Sequence, residues 1–281
     1  MLSVTSISGG KTSAFVGANY PSDHLLFALV RVEDPECMFP DKKIRQLVED
    51  RIHKPFVGTV EDDTIIYTIL DLEQYYGRPI NWVSGMTYEQ VLKEKGGWLP
   101  NKLHRYCTYF LKIEPMFYWW QKNISDPVLM QIGFRANEIS RANDTLAKTN
   151  TQGLLEFKGI IGKSKNGKRN RWDLIPWQKP AFPLIEDNVY KDEIISYWKN
   201  KPVRFAEYNN CVGCFHRNPY FLKYMFGKHQ NKMNWFAKQE MGRKKGTWKT
   251  GVRYESIDKI LEQGNLFVDE FQGCDDGFCE V

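Results

Sequence analysis

A strand that runs straight into Ser8-Gly9-Gly10-Lys11-Thr12-Ser13 limits what this chain can fold into. Residues 2–7 alternate apolar and small polar side chains, the period of a β-strand. Residues 12–19 can begin a helix, with Ser8 or Thr12 as its cap. The two glycines between them allow a tight turn and a close approach of backbone to ligand. The N–H groups of such a turn, with the positive end of the helix behind them, hold phosphate. Lys11 adds a mobile cation, and the hydroxyls of Ser8, Thr12 and Ser13 add donors. The plain alternative is a glycine-rich turn without a ligand.

The rest of the chain keeps alternating strands and helices. Residues 25–32 form an apolar strand, broken only by Arg31, that ends in Glu33-Asp34. In an open parallel sheet ligands bind beyond the carboxyl ends of the strands, where Asp34 could accept hydrogen bonds from ribose or adenine; a solvated turn is the other reading. Residues 42–53, 63–76 and 88–95 read as helices, 80–84 as a third strand, 104–122 as a long helical stretch and 128–133 as another strand. Asn166-Gly167 marks a two-residue hairpin with a basic tip, and 188–200 is a further helix. The expected fold is α/β, a doubly wound, mainly parallel sheet over residues 1–200, followed by a helical, Cys-bearing region over 201–281.

At 281 residues the chain can bury roughly 75% of its unfolded surface. No apolar run approaches the ~20 residues of a membrane helix, and the opening strand is no secretory leader. A cytoplasmic protein without a membrane partner is expected. Six cysteines are too few for a disulfide scaffold at this length, and their clustering points to metal or redox chemistry. The net charge is +5 but uneven. Cations at 163–171 and 228–249, the latter interleaved with aromatics, suit single-stranded nucleic acid, a multiply phosphorylated nucleotide, or a solvated face.

A Walker A loop needs Gly-x4-Gly-Lys-[Ser/Thr], and its first glycine would fall at Thr5, so that loop is excluded. Ser8-Gly9-Gly10-x-x-Ser13 instead resembles the pyrophosphate loop of the adenine-nucleotide alpha-hydrolase (PP-loop) superfamily, with Thr12 where an acidic residue is usual. That superfamily has a HUP-type fold and includes ATP pyrophosphatases, sulfurtransferases and phosphoadenosine phosphosulfate (PAPS) reductases. Cys107-x4-Lys112-x2-Pro115 and Gly133-x-Arg135-x2-Glu138-x2-Arg141 resemble two segments of the PAPS-reductase-like family, the second one residue shorter between Glu and Arg. Cys211-x2-Cys214 resembles the later cysteine pair of its iron–sulfur members. In order, the four elements cover residues 1 to about 220.

The resemblance implies an adenosine nucleotide, ATP or APS/PAPS, held by Ser8, Gly9, Gly10, Lys11, Thr12, Ser13, Asp34, Arg135, Glu138 and Arg141. Planar guanidinium groups suit phosphate or sulfate, although Arg135 and Arg141 could equally pair with Glu138 on the surface. The resemblance also implies a [4Fe–4S] cluster on Cys107, Cys211 and Cys214 with one iron left open. Thr108 stands where reductases carry the second Cys of a pair. Zinc on the three thiols with His216 is the competing ligand set, and a metal-free redox pair is the third. Lys112 could stabilise a Cys107 thiolate only if the helix distorts ahead of Pro115, because five residues turn about 140° round an α-helix. In the tail, Cys274 and Cys279 stand where PAPS reductases carry a nucleophilic Cys, but without the family's His and among acids that raise a thiol's pKa. Three functions follow. The first is a PAPS-reductase-like enzyme served by a thiol donor such as thioredoxin. The second is an ATP-dependent sulfurtransferase acting on tRNA or DNA. The third is a non-catalytic nucleotide-binding protein.

Overall fold

The computed structural model describes residues 1–164, 167–241 and 246–260. Among the described residues there are six strands: β1 Ser3–Ile7, β2 His24–Ala28, β3 Asn81–Val83, β4 Val128–Gln131, β5 Leu155–Lys163 and β6 Asn170–Ala181. The described helices begin with α1 Lys11–Asn19, α2 Lys42–Ile52, α3 Thr64–Tyr76, α4 Tyr88–Glu94 and α5 Tyr106–Thr108. They continue with α6 Glu114–Asn123, α7 Ile139–Leu146, α8 Pro183–Glu186, α9 Lys191–Trp198, α10 Pro219–Lys228 and α11 Gln230–Met241. No described helix is long and apolar enough to cross a membrane.

The strands form one sheet in the order β3-β2-β1-β4-β6-β5. β1 pairs in parallel with β2 on one side (Thr5 opposite Leu25) and with β4 on the other (Val4 opposite Met130), and β4 pairs in parallel with β6. Only β5 is antiparallel, to β6. The fold is therefore the expected mainly parallel, doubly wound α/β sheet. Leu25, Leu26 and Phe27 of β2 are all buried, as a strand covered on both faces must be. The strand order reverses between β1 and β4, and such a switch point opens a crevice at the carboxyl ends of the two strands.

The chain forms two compact units. Unit 1 comprises residues 1–27, 72–81 and 116–203. Its core includes Phe117, Phe157, Trp120 and Trp177, with the Phe117 and Phe157 rings stacked 4.1 Å apart. Unit 2 comprises 28–71, 82–115 and the described residues from 204 onward. One apolar cluster joins its three segments, among them Val30, Val60, Tyr88, Leu111, Val212, Trp235, Phe236 and Trp248.

Three local departures from the sequence reading have simple causes. The run 25–32 leaves the sheet after Ala28. Arg31 turns its guanidinium to Ser84 Oγ and to the carbonyls of Pro55 and Gly85, and Val32 pairs with Gly58 instead. Neither Ser8 nor Thr12 caps α1: its N-cap is Gly10, extended at φ −91°, with no side-chain cap bond. The stretch 104–122 is not one α-helix, because Tyr109–Ile113 forms a π-helical turn between α5 and α6.

Candidate functional site

The phosphate-loop residues lie in unit 1, between β1 and α1. Gly9 takes φ +80°, a left-handed conformation open to glycine at no steric cost. Ser8 N–H donates to Ser13 Oγ at 3.0 Å, and Ser13 Oγ donates to the Gly10 carbonyl at 3.1 Å. The Ser13 hydroxyl thus holds the loop closed, while Lys11 is exposed. Trp198 of α9 donates its Nε1–H to the Lys11 carbonyl at 2.9 Å and fixes the first turn of α1. The α1 N-cap, Gly10, has no side chain with which to cap the helix, and a helix N-terminus of this kind suits an anion.

The second loop leaves β4, the strand beside β1, at the same end. Gly133 lies against the first loop: a Cβ there would sit 3.2 Å from Ser13 N and 3.3 Å from Thr12 Cγ2. Beyond it, Glu138 Oε2 accepts from Arg135 N–H at 2.9 Å and from Arg135 Nε–H at 3.0 Å. Glu138 Oε1 takes Arg141 Nη1–H, and the Arg141 guanidinium lies 4.3 Å from the Phe134 ring centroid. Arg135 and Glu138 are both buried. One carboxylate therefore holds two guanidinium groups in the segment that follows Gly133, and this pairing is the one the sequence left open. Asp34 belongs to unit 2, where its carboxylate accepts from Glu36 N–H at 2.9 Å and caps a short 3-10 turn.

Unit 2 holds the described thiols. Cys107, Cys211 and Cys214 line one narrow cleft of about 30 Å³, together with Tyr88, Arg105, Lys112, His216 and Phe236. The π-helical turn explains how Cys107 and Lys112 share it. Its i→i+5 bonding, seen in Glu114 N–H to the Tyr109 carbonyl, slows the rotation per residue, so a five-residue spacing returns close to the same side. This is the distortion ahead of Pro115 that a meeting of the two side chains required. Lys112 Nζ is 3.0 Å from Glu61 Oε1, and the Glu61 backbone pairs with Cys211. Glu61 is itself buried and ties the lysine and the cysteine loop to one point.

The Cys-x2-Cys segment is built as two successive turns, Cys214 N–H to the Cys211 carbonyl and Arg217 N–H to the Cys214 carbonyl. The Arg217 side chain is wholly buried and donates to the carbonyls of Asn209 and Cys211. A Cβ on Gly213 would lie 2.4 Å from the Phe236 ring, so only glycine fits there. Tyr88, wholly buried, is hydrogen-bonded to Cys107. Burial first, then the charge of Cys107 and Cys211, pushes its hydroxyl well above the ordinary tyrosine range, so it stays a donor. None of the four described cysteines is in a disulfide. Among the described residues no three or more His, Cys, Asp and Glu side chains are disposed to hold a metal ion, so the thiols share a cleft without forming a ready metal site. Cys274 and Cys279 lie outside the described residues.

Tyr88, Glu61 and Arg217 escaped the sequence reading. Thr87, which caps α4 with Gln90, was a local signal for where Tyr88 starts its helix. Nothing local marks Glu61, whose partners Lys112 and Cys211 are distant in the chain, and the bonds of Arg217 to the carbonyls of Cys211 and Asn209 follow no recognised motif spacing.

No protein-family model matches this chain. A segment of 98 residues, 34% of the chain, is 30% identical to an uncharacterized protein of Methanocaldococcus jannaschii. The chain spans 20% of that relative's length. Among solved structures it is similar to a phosphoadenylyl-sulfate (PAPS) reductase from Candida auris in complex with phosphate. That likeness has 12% identity, covers 74% of this chain and 76% of the other, and has a TM-score of 0.37.

Proposed function

We propose that this protein is a sulfur-handling enzyme that binds an adenine nucleotide by its phosphate or sulfate end at the β1–β4 switch point. The observation that carries the reading is the contact of Gly133 with Ser13 and Thr12. It puts the α1 N-terminus and Lys11 at the same strand ends as Arg135 and Arg141. In the reductive form of the reading a thiolate of Cys274 or Cys279 attacks the sulfur of APS or PAPS. The S–O bond to the nucleotide phosphate breaks and the nucleotide leaves. A second thiol displaces sulfite as a disulfide forms, and an external dithiol of the thioredoxin kind reduces it.

The test is calorimetric titration of the full chain with ATP, APS and PAPS. Gly133→Ala forces the loops apart by a few tenths of an ångström and is expected to weaken binding about tenfold without loss of circular-dichroism signal. Failure of all three nucleotides to bind would end the reading. Sulfite release that survives Cys274→Ser/Cys279→Ser would end its mechanism.

A second reading, ATP-dependent thiolation of tRNA or DNA, is favoured by the cleft that joins three thiols to Lys112 and by Thr108 in place of a fourth thiol. A [4Fe–4S] cluster would draw on Cys107, Cys211 and Cys214 and needs a further ligand; zinc would add His216. Among the described residues no group of three or more such ligands is gathered for a metal ion, so no step is routed through a metal. Pyrophosphate release from ATP that requires added nucleic acid would select this reading over the first.

A further inference from the structure

The β5–β6 pair is longer than its sheet. Its root is anchored in unit 1: Phe157 stacks on Phe117, and Trp177 is buried. Beyond Gly159 the two strands run on as an exposed ribbon, and residues 160–163 and 167–174 are all exposed. The register places Lys158 opposite Leu174 and Ile160 opposite Trp172, so these four share one face. On it Trp172 is 55% exposed, Leu174 57% and Ile160 40%. An exposed aromatic and aliphatic row of this kind marks a surface that meets a partner.

The charge says what the partner is. Residues 158–172 contain six cations and no acid, while the whole chain nets +5, so everything outside the ribbon nets −1. A second copy of this ribbon would bring the same six cations, which opposes self-pairing. We propose that the ribbon is a docking arm for single-stranded nucleic acid. Lys158, Lys163, Lys168, Arg169 and Arg171 take phosphates, and Trp172, flanked by Ile160, stacks on a base. Bases offer an apolar face to any aromatic side chain, and the backbone supplies evenly spaced anions, so this pairing needs no sequence-specific pocket. The arm is independent of the nucleotide site, so either can fail alone.

The experiment is fluorescence anisotropy of labelled oligo-dT and oligo-U 20-mers with the full chain over a salt series. Binding should weaken with salt, with a log–log slope of about −2 to −3.5 for three to five phosphate contacts. Trp172→Ala should weaken binding about tenfold at unchanged slope. Lys168→Ala/Arg169→Ala/Arg171→Ala should flatten the slope by about 2. Both variants sit on exposed ribbon and should keep the wild-type melting temperature and ATP titration. A preference for RNA or for DNA in the same series still supports the arm. The proposal is overturned if neither oligonucleotide binds, or if both variants bind like wild type. It is equally overturned if Trp172→Ala abolishes only binding to phosphatidylserine vesicles, or only self-association in light scattering.

Discussion

Glu138 carries more than its position in a motif conveys. The spacing Gly-x-Arg-x2-Glu-x2-Arg was readable in the chain, and so was the suitability of its arginines for an anion. What no spacing reveals is that one carboxylate takes both guanidinium groups. Glu138→Ala removes the negative charge from between two largely buried cations. It should cost about 3 kcal/mol of stability. Inorganic pyrophosphate should then raise the melting temperature of the variant more than that of the wild type, because it replaces the lost charge. Equal shifts in the two proteins would show that the arginines do not face the anion site. Cys37 is the opposite case, a cysteine the sequence counted but could not place. It is buried, and burial above all pushes its thiol up to about 12. Since the thiolate is the reactive form, Cys37 should resist iodoacetamide at about pH 8 in the folded protein and react only in denaturant. Peptide mapping that finds Cys37 alkylated under native conditions would contradict its placement.

At the level of elements, strands were the legible part. Apolar runs of strand length give parallel strands away; the Asn166-Gly167 turn signal falls between the antiparallel strands β5 and β6, with Asn166 itself outside the described residues. The limits of elements were less legible. Arg31 looked like a flaw in a strand and instead lies past the strand's end, where it holds three carbonyl and hydroxyl partners. The π-helical turn was foreseeable only as a condition: Cys107 and Lys112 had to meet or not, and periodicity alone put them about 140° apart. The fit of the Cys-x2-Cys turn against α11 has no sequence signature at all. Gly213→Ala would drive a methyl into Phe236 and should destabilise the protein by about 1–3 kcal/mol. Gly227→Ala, on α10 with open space at the same position, is the control and should cost nothing measurable. Equal melting temperatures for the two variants would mean the turn and Phe236 do not pack as described.

For the molecule as a whole, each unit is assembled from three separated stretches of chain. A walk along the sequence sees a change of character near residue 201, because local composition is all that it samples. The apolar cluster of unit 2 draws on residues from Val30 to Ile257, and such long-range closure leaves no local trace. The same unit contains His229, held below the ordinary histidine range chiefly by burial, with Asp62 opposing and Lys232 reinforcing the shift. A histidine with a depressed folded pKa takes up a proton more readily when unfolded, so its contribution is present above about pH 6.5 and lost as pH falls. His229→Gln should therefore flatten the fall in melting temperature from about pH 6.5 to 5.5; parallel curves would assign that fall to other groups. The exposed ribbon has a consequence of a different kind. Because every unit of positive excess sits on 158–172, the sign of the protein's charge is detachable. Replacing that loop by a tight turn should move the isoelectric point from about 8.7 to the acidic side of neutrality. The shortened protein would then be retained on anion rather than cation exchangers at neutral pH, a reversal visible on a column before any partner is known.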